Sequence, residues 1–312
     1  MSQRSLEVDN LAFVFSGQGA QYPGMGKDIY DAFPAAGKVL DDLDKRRSGL
    51  KELIFSSSEE TLMQTANTQC AMYALEAMIT AVLEEEGIKP SCTAGFSLGE
   101  LTALAAAGVY SMEDGFGITR IRAALMQEAT EKTDAVMDAV LKLQDATVEK
   151  LAAQYRSIYP VNYNSPGQVV VAAARNEVEA FEESVRASGG RTMRLRVSGG
   201  FHSPFMSTAA DRFLEQLDAF SFSDPSIPVW SNVSGRKYEG NIKAALALQI
   251  KSPVRWVDIV EDMIRCGVTC FIEIGPGSTL TGLIRRISRN VKTYNAGTVE
   301  GVNRILEEVR NV

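Results

Sequence analysis

The sequence predicts an α/β protein in which helices cover a parallel sheet and a smaller module is inserted into the larger unit. Two observations lead to this prediction. Short apolar runs that end in turns alternate with longer segments of helical periodicity. In the middle of the chain the order of strands and helices changes, which indicates a second unit. The 312 residues are enough for one large domain with a smaller one attached.

Short apolar runs predict the strands of the parallel sheet. These strands are expected at residues 11–15, 92–96, 229–232 and 270–274. Helices are expected between them, at residues 67–86, 98–107 and 111–130. Strands that alternate with helices in this way favour a parallel sheet covered by helices.

The middle of the chain has its own strand and helix order. Strands are predicted at residues 136–143, 161–164, 168–173 and 192–197, and helices at residues 145–155 and 177–188. This βαββαβ order is that of a ferredoxin-like module. We therefore expect residues 132–199 to form an inserted domain, and residues 1–131 and 200–312 to form the large α/β domain.

Composition and charge exclude several classes of function. The formal charge is −7 without a basic block, which argues against nucleic acid or an anionic membrane as partner. The most apolar stretch, residues 101–110, is about half the ~20 residues of a membrane-spanning helix. The N-terminus lacks the features of a signal peptide, so we expect a cytoplasmic protein. One histidine and four unclustered cysteines predict no metal site, and no other cofactor is expected.

Residues 95–99 carry the pattern G-x-S-x-G between a predicted strand and a predicted helix. This is the setting of a nucleophile elbow, in which the glycines permit a sharp turn and the turn exposes the Ser97 hydroxyl. The free N–H groups and the positive dipole end of the following helix would face a developing oxyanion. A chance occurrence in a glycine- and alanine-rich region is the alternative. The strand-turn-helix setting favours a nucleophile.

His202 is the single histidine of the chain. A serine nucleophile needs a base to take its proton, so any imidazole that activates Ser97 must be this one. His202 lies in a glycine-rich loop, residues 199–204, which leads into a helix. An isolated histidine more often has no catalytic role, but the loop and the elbow serine favour general-base catalysis.

Several motifs in a fixed order carry a family resemblance. They are residues 15–21, 95–100, 162–168, 200–204, 252–256 and 274–277. Together they resemble the malonyl-CoA:acyl carrier protein transacylase family of fatty acid synthesis, over about residues 11 to 290. The resemblance implies an α/β-hydrolase-like domain with a ferredoxin-like insert. It also implies malonyl-CoA and acyl carrier protein as partners, with ping-pong transfer through an acyl-enzyme on Ser97.

The resemblance implies a role for each matching residue. Ser97 would be the nucleophile and His202 the base, and the backbone N–H groups of Gln18 and Leu98 would form the oxyanion hole. Arg122 would bind the free malonyl carboxylate, since a guanidinium meets a carboxylate with two parallel hydrogen bonds. Further side chains expected to contact substrate or to orient the site are Asn162, Asn164, Phe201, Asn232 and Arg255.

Some features depart from the family or leave a choice open. The family usually has histidine at Phe96 and proline at Ser16, and some members have glutamine at Arg255. A main-chain carbonyl near Arg255 orients the histidine in the family, and a guanidinium there would raise the local positive potential. From the residues alone, Arg120 is as good a candidate as Arg122 for the substrate carboxylate.

Two other functions fit parts of the sequence. A serine hydrolase shares the elbow, but its acid normally lies between the serine and the histidine in the chain. Asp138 and Asp145 occupy that interval and are expected on the surface. A carrier-binding subunit without activity is the second alternative, and the serine and histidine argue against it. An acidic carrier would need a basic patch. The available arginines are Arg191, Arg194, Arg196, Arg285, Arg286 and Arg289.

Overall fold

The structure is a computed structural model, and it describes residues 10–197 and 199–310. The strands are β1 (Leu11–Phe15), β2 (Cys92–Gly95), β3 (Ala135–Leu141), β4 (Ile158–Ser165), β5 (Gln168–Ala174), β6 (Arg191–Arg194), β7 (Val229–Trp230), β8 (Cys270–Ile274) and β9 (Lys292–Asn295). The helices before the second sheet are α1 (Lys27–Ala32), α2 (Pro34–Arg46), α3 (Leu50–Ser56), α4 (Glu59–Met63), α5 (Thr65–Glu85), α6 (Gly99–Ala106) and α7 (Met112–Glu131). The later helices are α8 (Asp145–Ala152), α9 (Arg175–Ala187), α10 (Ser207–Gln216), α11 (Ile242–Gln249), α12 (Trp256–Arg265), α13 (Thr279–Ile287) and α14 (Val299–Arg310).

The larger sheet is parallel, with strand order β7-β2-β1-β8-β9. Its central strand β1 is buried along its whole length, and its side chains alternate between two apolar clusters. Phe13 and Phe15 pack with the long helix α5, whereas Ala12 and Val14 pack with α12 and α13. A central parallel strand with helices on both faces has apolar residues at every position, as residues 11–15 do.

The smaller sheet is antiparallel, with strand order β4-β5-β3-β6. Its elements follow the βαββαβ order, and the strand that starts this unit lies between the third and the fourth, as in a ferredoxin-like module. The predicted fold class, a parallel α/β sheet with a small ferredoxin-like sheet inserted, is therefore confirmed. The boundaries at residues 132 and 199 stay predictions.

Strand β4 shows how tertiary position shifts a predicted boundary. The prediction starts this strand at Val161, after Pro160, but the strand begins at Ile158. Proline lacks the N–H of a central strand but is tolerated at an edge, and β4 is the edge strand of its sheet. Later in the same strand, the Tyr163 N–H donates to Val254 O at 2.9 Å. This bond connects β4 to the segment that precedes α12.

The surface position predicted for Asp138 is wrong. Asp138 lies in the middle of β3 with its side chain fully buried, and it forms a salt bridge with Arg194. The reason is the register of β3 and β6, which places Arg194 directly opposite Asp138. Asp145, the other predicted surface acid, is half-buried at the start of α8. Within the described part of the chain, no helix combines the length and the apolar character needed to cross a bilayer.

Candidate active site

The candidate site is a cleft of about 480 Å³ at the carboxyl ends of the parallel strands. The loops that follow β1, β2 and β8 meet there, as ligand sites in open α/β sheets do. The opposite wall comes from the small sheet, through residues of β3, β4 and β5. A ligand in this cleft therefore contacts both sheets.

Ser97 occupies the turn between β2 and α6 with a φ of 53°, a left-handed conformation that is uncommon for residues other than glycine. The two flanking glycines are required by close packing. A Cβ on Gly95 would lie 1.9 Å from the Gly99 carbonyl carbon, and a Cβ on Gly99 would lie 2.2 Å from the Phe15 oxygen. Asn232 secures the turn, because its Oδ1 accepts the Ser97 N–H at 2.7 Å and its Nδ2 donates to Gly95 O at 2.6 Å.

His202 meets Ser97 across the cleft. Its Nε2 lies 2.6 Å from Ser97 Oγ, and its Nδ1 lies 2.9 Å from the main-chain oxygen of Gln249. A carbonyl oxygen can only accept a hydrogen bond, so Nδ1 carries the proton and Nε2 is free to accept the Ser97 hydroxyl proton. Burial, and then the positive charge of Arg122, lower the pKa of His202 to about 4. The imidazole is therefore neutral at pH 7.

Arg122 lies beside this pair, on α7, and is 1% exposed. Its Nη2 donates to Ser97 Oγ at 3.3 Å and to Gln249 Oε1 at 2.9 Å, while its Nη1 donates to Gln69 Oε1 at 2.7 Å. Burial lowers the pKa of Arg122 to about 10, so the guanidinium stays charged at pH 7. Arg120, two residues earlier, points to the opposite side of the helix, where its Nη1 donates to Arg46 O at 2.9 Å in an exposed position.

The predicted oxyanion donors also border the cleft. Gln18 lies in the loop after β1 and Leu98 follows the elbow serine, and both line the cavity. In residues 10–197 and 199–310, neither of their backbone N–H groups donates a hydrogen bond. Two free donors on the wall of the cleft that contains Ser97 are able to hold a negatively charged oxygen.

The other predicted site residues are distributed around the cleft. Asn162, Asn164 and Phe201 are buried and line it. The Asn164 Oδ1 has no hydrogen-bond partner within the described residues. Asn232 lies behind the elbow rather than on the cleft wall. The structure does not bring Arg255 to the cleft: its guanidinium is exposed, pairs with Asp258 at 3.2 Å and lies over the Tyr163 ring.

Three residues of the site were not singled out by the sequence reasoning. Gln69, Glu100 and Gln249 are all buried, and each is bonded to another member of the site. Gln69 lies near the start of the largely apolar helix α5, and a long polar side chain on the buried face of such a helix is the signal that could have found it. Glu100 closes the elbow motif, while Gln249 precedes the motif at residues 252–256 without any local pattern of its own.

Two of the three departures from the family, Phe96 and Ser16, fit their surroundings. The Phe96 ring packs edge-on against Trp256 at 5.5 Å between ring centres, so this wall of the cleft is apolar. Ser16 donates its N–H to Ile274 O at 3.1 Å, a bond that a proline at this position could not make.

Comparison with known proteins places this geometry in a family. The family model described as acyl transferase domain matches residues 12–304. A malonyl CoA-acyl carrier protein transacylase of Bacillus subtilis is 36% identical over 97% of this chain and 98% of its own length. The solved structure of the transacylase of that name from Clostridium perfringens matches with a TM-score of 0.93 at 34% identity, over 97% of this chain and 98% of the other.

A further solved structure shows a malonyl-transacylase in complex with a type II polyketide acyl-carrier protein. It matches with a TM-score of 0.92 at 35% identity, over 96% of this chain and 99% of the other. The chain belongs to the acyl transferase domain family, and within it to the malonyl CoA-acyl carrier protein transacylases.

Proposed function

We propose that this chain transfers a malonyl group from malonyl-CoA to the phosphopantetheine thiol of acyl carrier protein, and so supplies malonyl units for fatty acid chain elongation. The observation that supports it best is the buried Arg122 guanidinium, 3.3 Å from Ser97 Oγ. A thioester carbonyl placed at Ser97 would bring the free carboxylate of a malonyl group to Arg122. A positive charge at this place has an obvious use only if the acyl group carries a negative one.

In the first half-reaction Ser97 Oγ attacks the thioester carbonyl carbon while His202 Nε2 takes the hydroxyl proton. The carbonyl oxygen becomes an oxyanion, and the N–H groups of Gln18 and Leu98 stabilise it. The carbon–sulfur bond then breaks, and His202 returns the proton to the sulfur of coenzyme A. The malonyl ester remains on Ser97.

In the second half-reaction the thiol of the carrier arm attacks the ester, and the same groups act in reverse order. His202 takes the thiol proton and gives it to Ser97 Oγ as the carbon–oxygen bond breaks. Asn162 and Asn164 line the path by which either arm reaches Ser97. The unpartnered Asn164 Oδ1 would accept a hydrogen bond from an amide N–H of the arm.

Docking of an acidic carrier fits the arginines at the mouth of the cleft. Arg196 lines the cleft, and the Arg286 guanidinium donates to Gln168, another lining residue, at 2.7 Å. Both arginines are exposed. Arg194 is a weaker candidate, because Asp138 and Glu182 already neutralise it.

The serine hydrolase alternative receives less support from the geometry. In a hydrolase triad a carboxylate receives the Nδ1–H of the histidine. Here that bond goes to the main-chain oxygen of Gln249, and the salt-bridged Asp138 lies in the small sheet. A neutral acceptor still fixes the tautomer, and Arg122 adds a requirement for an acidic acyl group.

Intact-mass measurement after mixing with malonyl-CoA tests the proposal. A malonyl adduct should appear on the wild type and be absent from Ser97→Ala, while Ser16→Ala, which changes another serine of the same cleft, should retain it. Added carrier protein should remove the adduct and become malonylated. An adduct on Cys92, or release of coenzyme A over many turnovers without any acceptor, would reject the assignment.

A further inference from the structure

Glu100 is a buried carboxylate that the proposed mechanism does not use. It is the second residue of α6 and lies directly behind the elbow, without lining the cleft. Its Oε1 accepts the Asn232 N–H at 3.0 Å and the Tyr238 hydroxyl at 2.6 Å, and its Oε2 accepts Gln249 Nε2 at 2.7 Å. Every one of these partners donates, which is the arrangement that an ionised carboxylate requires.

Two of these donors hold the reacting groups in place. Asn232 accepts the Ser97 N–H, and Gln249 Nε2 also donates to Ser97 O at 2.6 Å. The Gln249 side-chain oxygen accepts from Arg122, and its main-chain oxygen accepts from His202. Nucleophile, base and guanidinium are therefore each bonded to a residue that Glu100 binds directly.

We propose that Glu100 is a positioning residue for the acyl transfer described above. Its carboxylate fixes Asn232 and the amide orientation of Gln249, and through them the geometry of Ser97, His202 and Arg122. This inference rests on the proposed function only for the identity of the acyl group, because the same residues would position Ser97 and His202 for any acyl donor.

The charge of Glu100 matters because Gln249 has two different ends. Its Nε2 faces Glu100 and its Oε1 faces Arg122. Protonation of Glu100 removes the negative charge that strengthens the bonds from Asn232 and Gln249. A proton on Oε1 reverses the bond with the Tyr238 hydroxyl, whereas a proton on Oε2 breaks the bond from Gln249 Nε2. Rotation of the Gln249 side-chain amide by half a turn would restore the bond to Glu100. Its N–H group would then point at the Arg122 guanidinium, which cannot accept a hydrogen bond. A neutral side chain at position 100 therefore disturbs the arginine, the base or the elbow.

Burial brings the ionisation of Glu100 near neutral pH, and three charged or titratable groups face it. They are Arg122 on α7, Tyr238 after β7, and Tyr110 between α6 and α7. The buried Glu76 of α5 is bonded instead to Thr102. Burial raises the pKa of Glu100 to about 7, and the bonds from its donors and the charge of Arg122 limit that rise. Ser97 reactivity should therefore fall as the pH drops through about 7, while His202 stays neutral.

The rate at which a small neutral fluorophosphonate labels Ser97, measured from pH 5.5 to 9, tests this role without an acyl donor. The pH–rate profile of the wild type should have a limb near pH 7, below which the labelling rate falls. Glu100→Gln should lose the limb and react about tenfold to a hundredfold more slowly at high pH, the loss expected for one hydrogen bond to a charged group. Tyr238→Phe removes one donor to the carboxylate and should move the limb upward by about half a unit to one unit.

Tyr110→Phe is the matched control, since the Tyr110 hydroxyl donates to Leu101 O rather than to Glu100. Its limb should stay where the wild type has it. A Glu100→Gln enzyme with the wild-type rate and limb, or a Tyr238→Phe limb that does not move, would overturn the proposal. If the wild type shows the limb but accepts no malonyl group from malonyl-CoA, the proposed function fails and the role of Glu100 stands. If the wild type accepts malonyl and neither variant changes the limb, the proposed function stands and the role of Glu100 is refuted.

Discussion

The cleft and the small sheet bury charge in opposite ways. Asp138 in the small sheet is neutralised by the Arg194 guanidinium, which is bonded to Glu182 as well. Arg122 in the cleft is equally buried, but its contacts are Gln69, Gln249 and a serine hydroxyl, and no carboxylate touches it in the described part of the chain. Asp138 is thus part of a completed pair, whereas Arg122 lacks the partner that a substrate carboxylate would supply.

The difference also has an effect on the chemistry. Burying a guanidinium without a contacting counter-charge costs folding free energy. Its electric field also acts on the neighbouring imidazole. Burial and Arg122 together hold the pKa of His202 at about 4. A carboxylate bound to Arg122 would cancel part of that field and make His202 a stronger base at the moment the acyl group arrives.

The first prediction concerns stability, the property in which substitutions of Asp138 and Arg122 should differ most. Asp138→Asn should lower the free energy of unfolding by about 1–3 kcal/mol, because the charged hydrogen bonds to Arg194 are lost. Malonyl transfer per folded molecule should not change. Urea denaturation and a transfer assay on the same preparation measure both quantities.

Arg122→Met is the matched variant in the cleft. It removes a buried charge that no carboxylate contacts, but it also takes a donor from Gln69 Oε1 and Gln249 Oε1. The free energy of unfolding should therefore fall by less than in Asp138→Asn. Equal losses in Asp138→Asn and Arg122→Met would break the comparison, since Arg122 would then be as structural as Asp138.

The second prediction uses the single histidine of the chain. In protein without a histidine tag, one imidazole signal should report His202 by NMR, and it should not titrate between pH 8 and 5.5. In Arg122→Met the midpoint should rise, yet stay below about 6.5, because burial is the larger cause of the low pKa and remains. A wild-type midpoint near 6.5 would mean that the imidazole is not buried beside a positive charge.

The third and smallest effect concerns the mouth of the cleft. Arg196→Glu and Arg286→Glu should each weaken use of carrier protein by about twofold to fivefold, the range of an exposed ion pair. Acylation by a small malonyl thioester whose thiol part carries no charge should be spared. Arg191→Glu makes the same charge change on β6 without touching the cleft, and should have no such effect. A loss that is equal with carrier and with the small thioester would indicate general damage.

Local sequence was sufficient to predict the turn at Ser97 and the pairing of Ser97 with His202. Gly95 and Gly99 are fixed by contacts within a few residues of Ser97 or with the adjacent strand β1, and a strand-turn-helix pattern contains that information. His202 was identified because the chain has no other histidine. The βαββαβ order was likewise visible, because turns punctuate that segment.

Contacts between distant segments could not be predicted in this way. Arg122 is bonded to Gln249, which lies 127 positions away in the chain. Burial that depends on such a distant bond produces no periodic pattern in the local sequence. Asp138 is buried because the strand register places Arg194 opposite it, and that register forms only in the folded sheet. Glu100 lies in the motif at residues 95–100, but its hydrogen bonds with Asn232, Tyr238 and Gln249 form only in the folded protein.

The central claim is that Arg122 reads the carboxylate of the acyl group. It is tested most directly by exposing the enzyme to malonyl-CoA and acetyl-CoA together and weighing the two adducts on Ser97. The wild type should prefer malonyl by about tenfold to more than a hundredfold, the value of one hydrogen bond to a charged group. Arg122→Ala should erase most of this preference by slowing malonyl transfer, and Arg122→Lys should restore part of it. Arg120→Ala should keep the wild-type ratio; an Arg122→Ala enzyme that also keeps it would contradict the account.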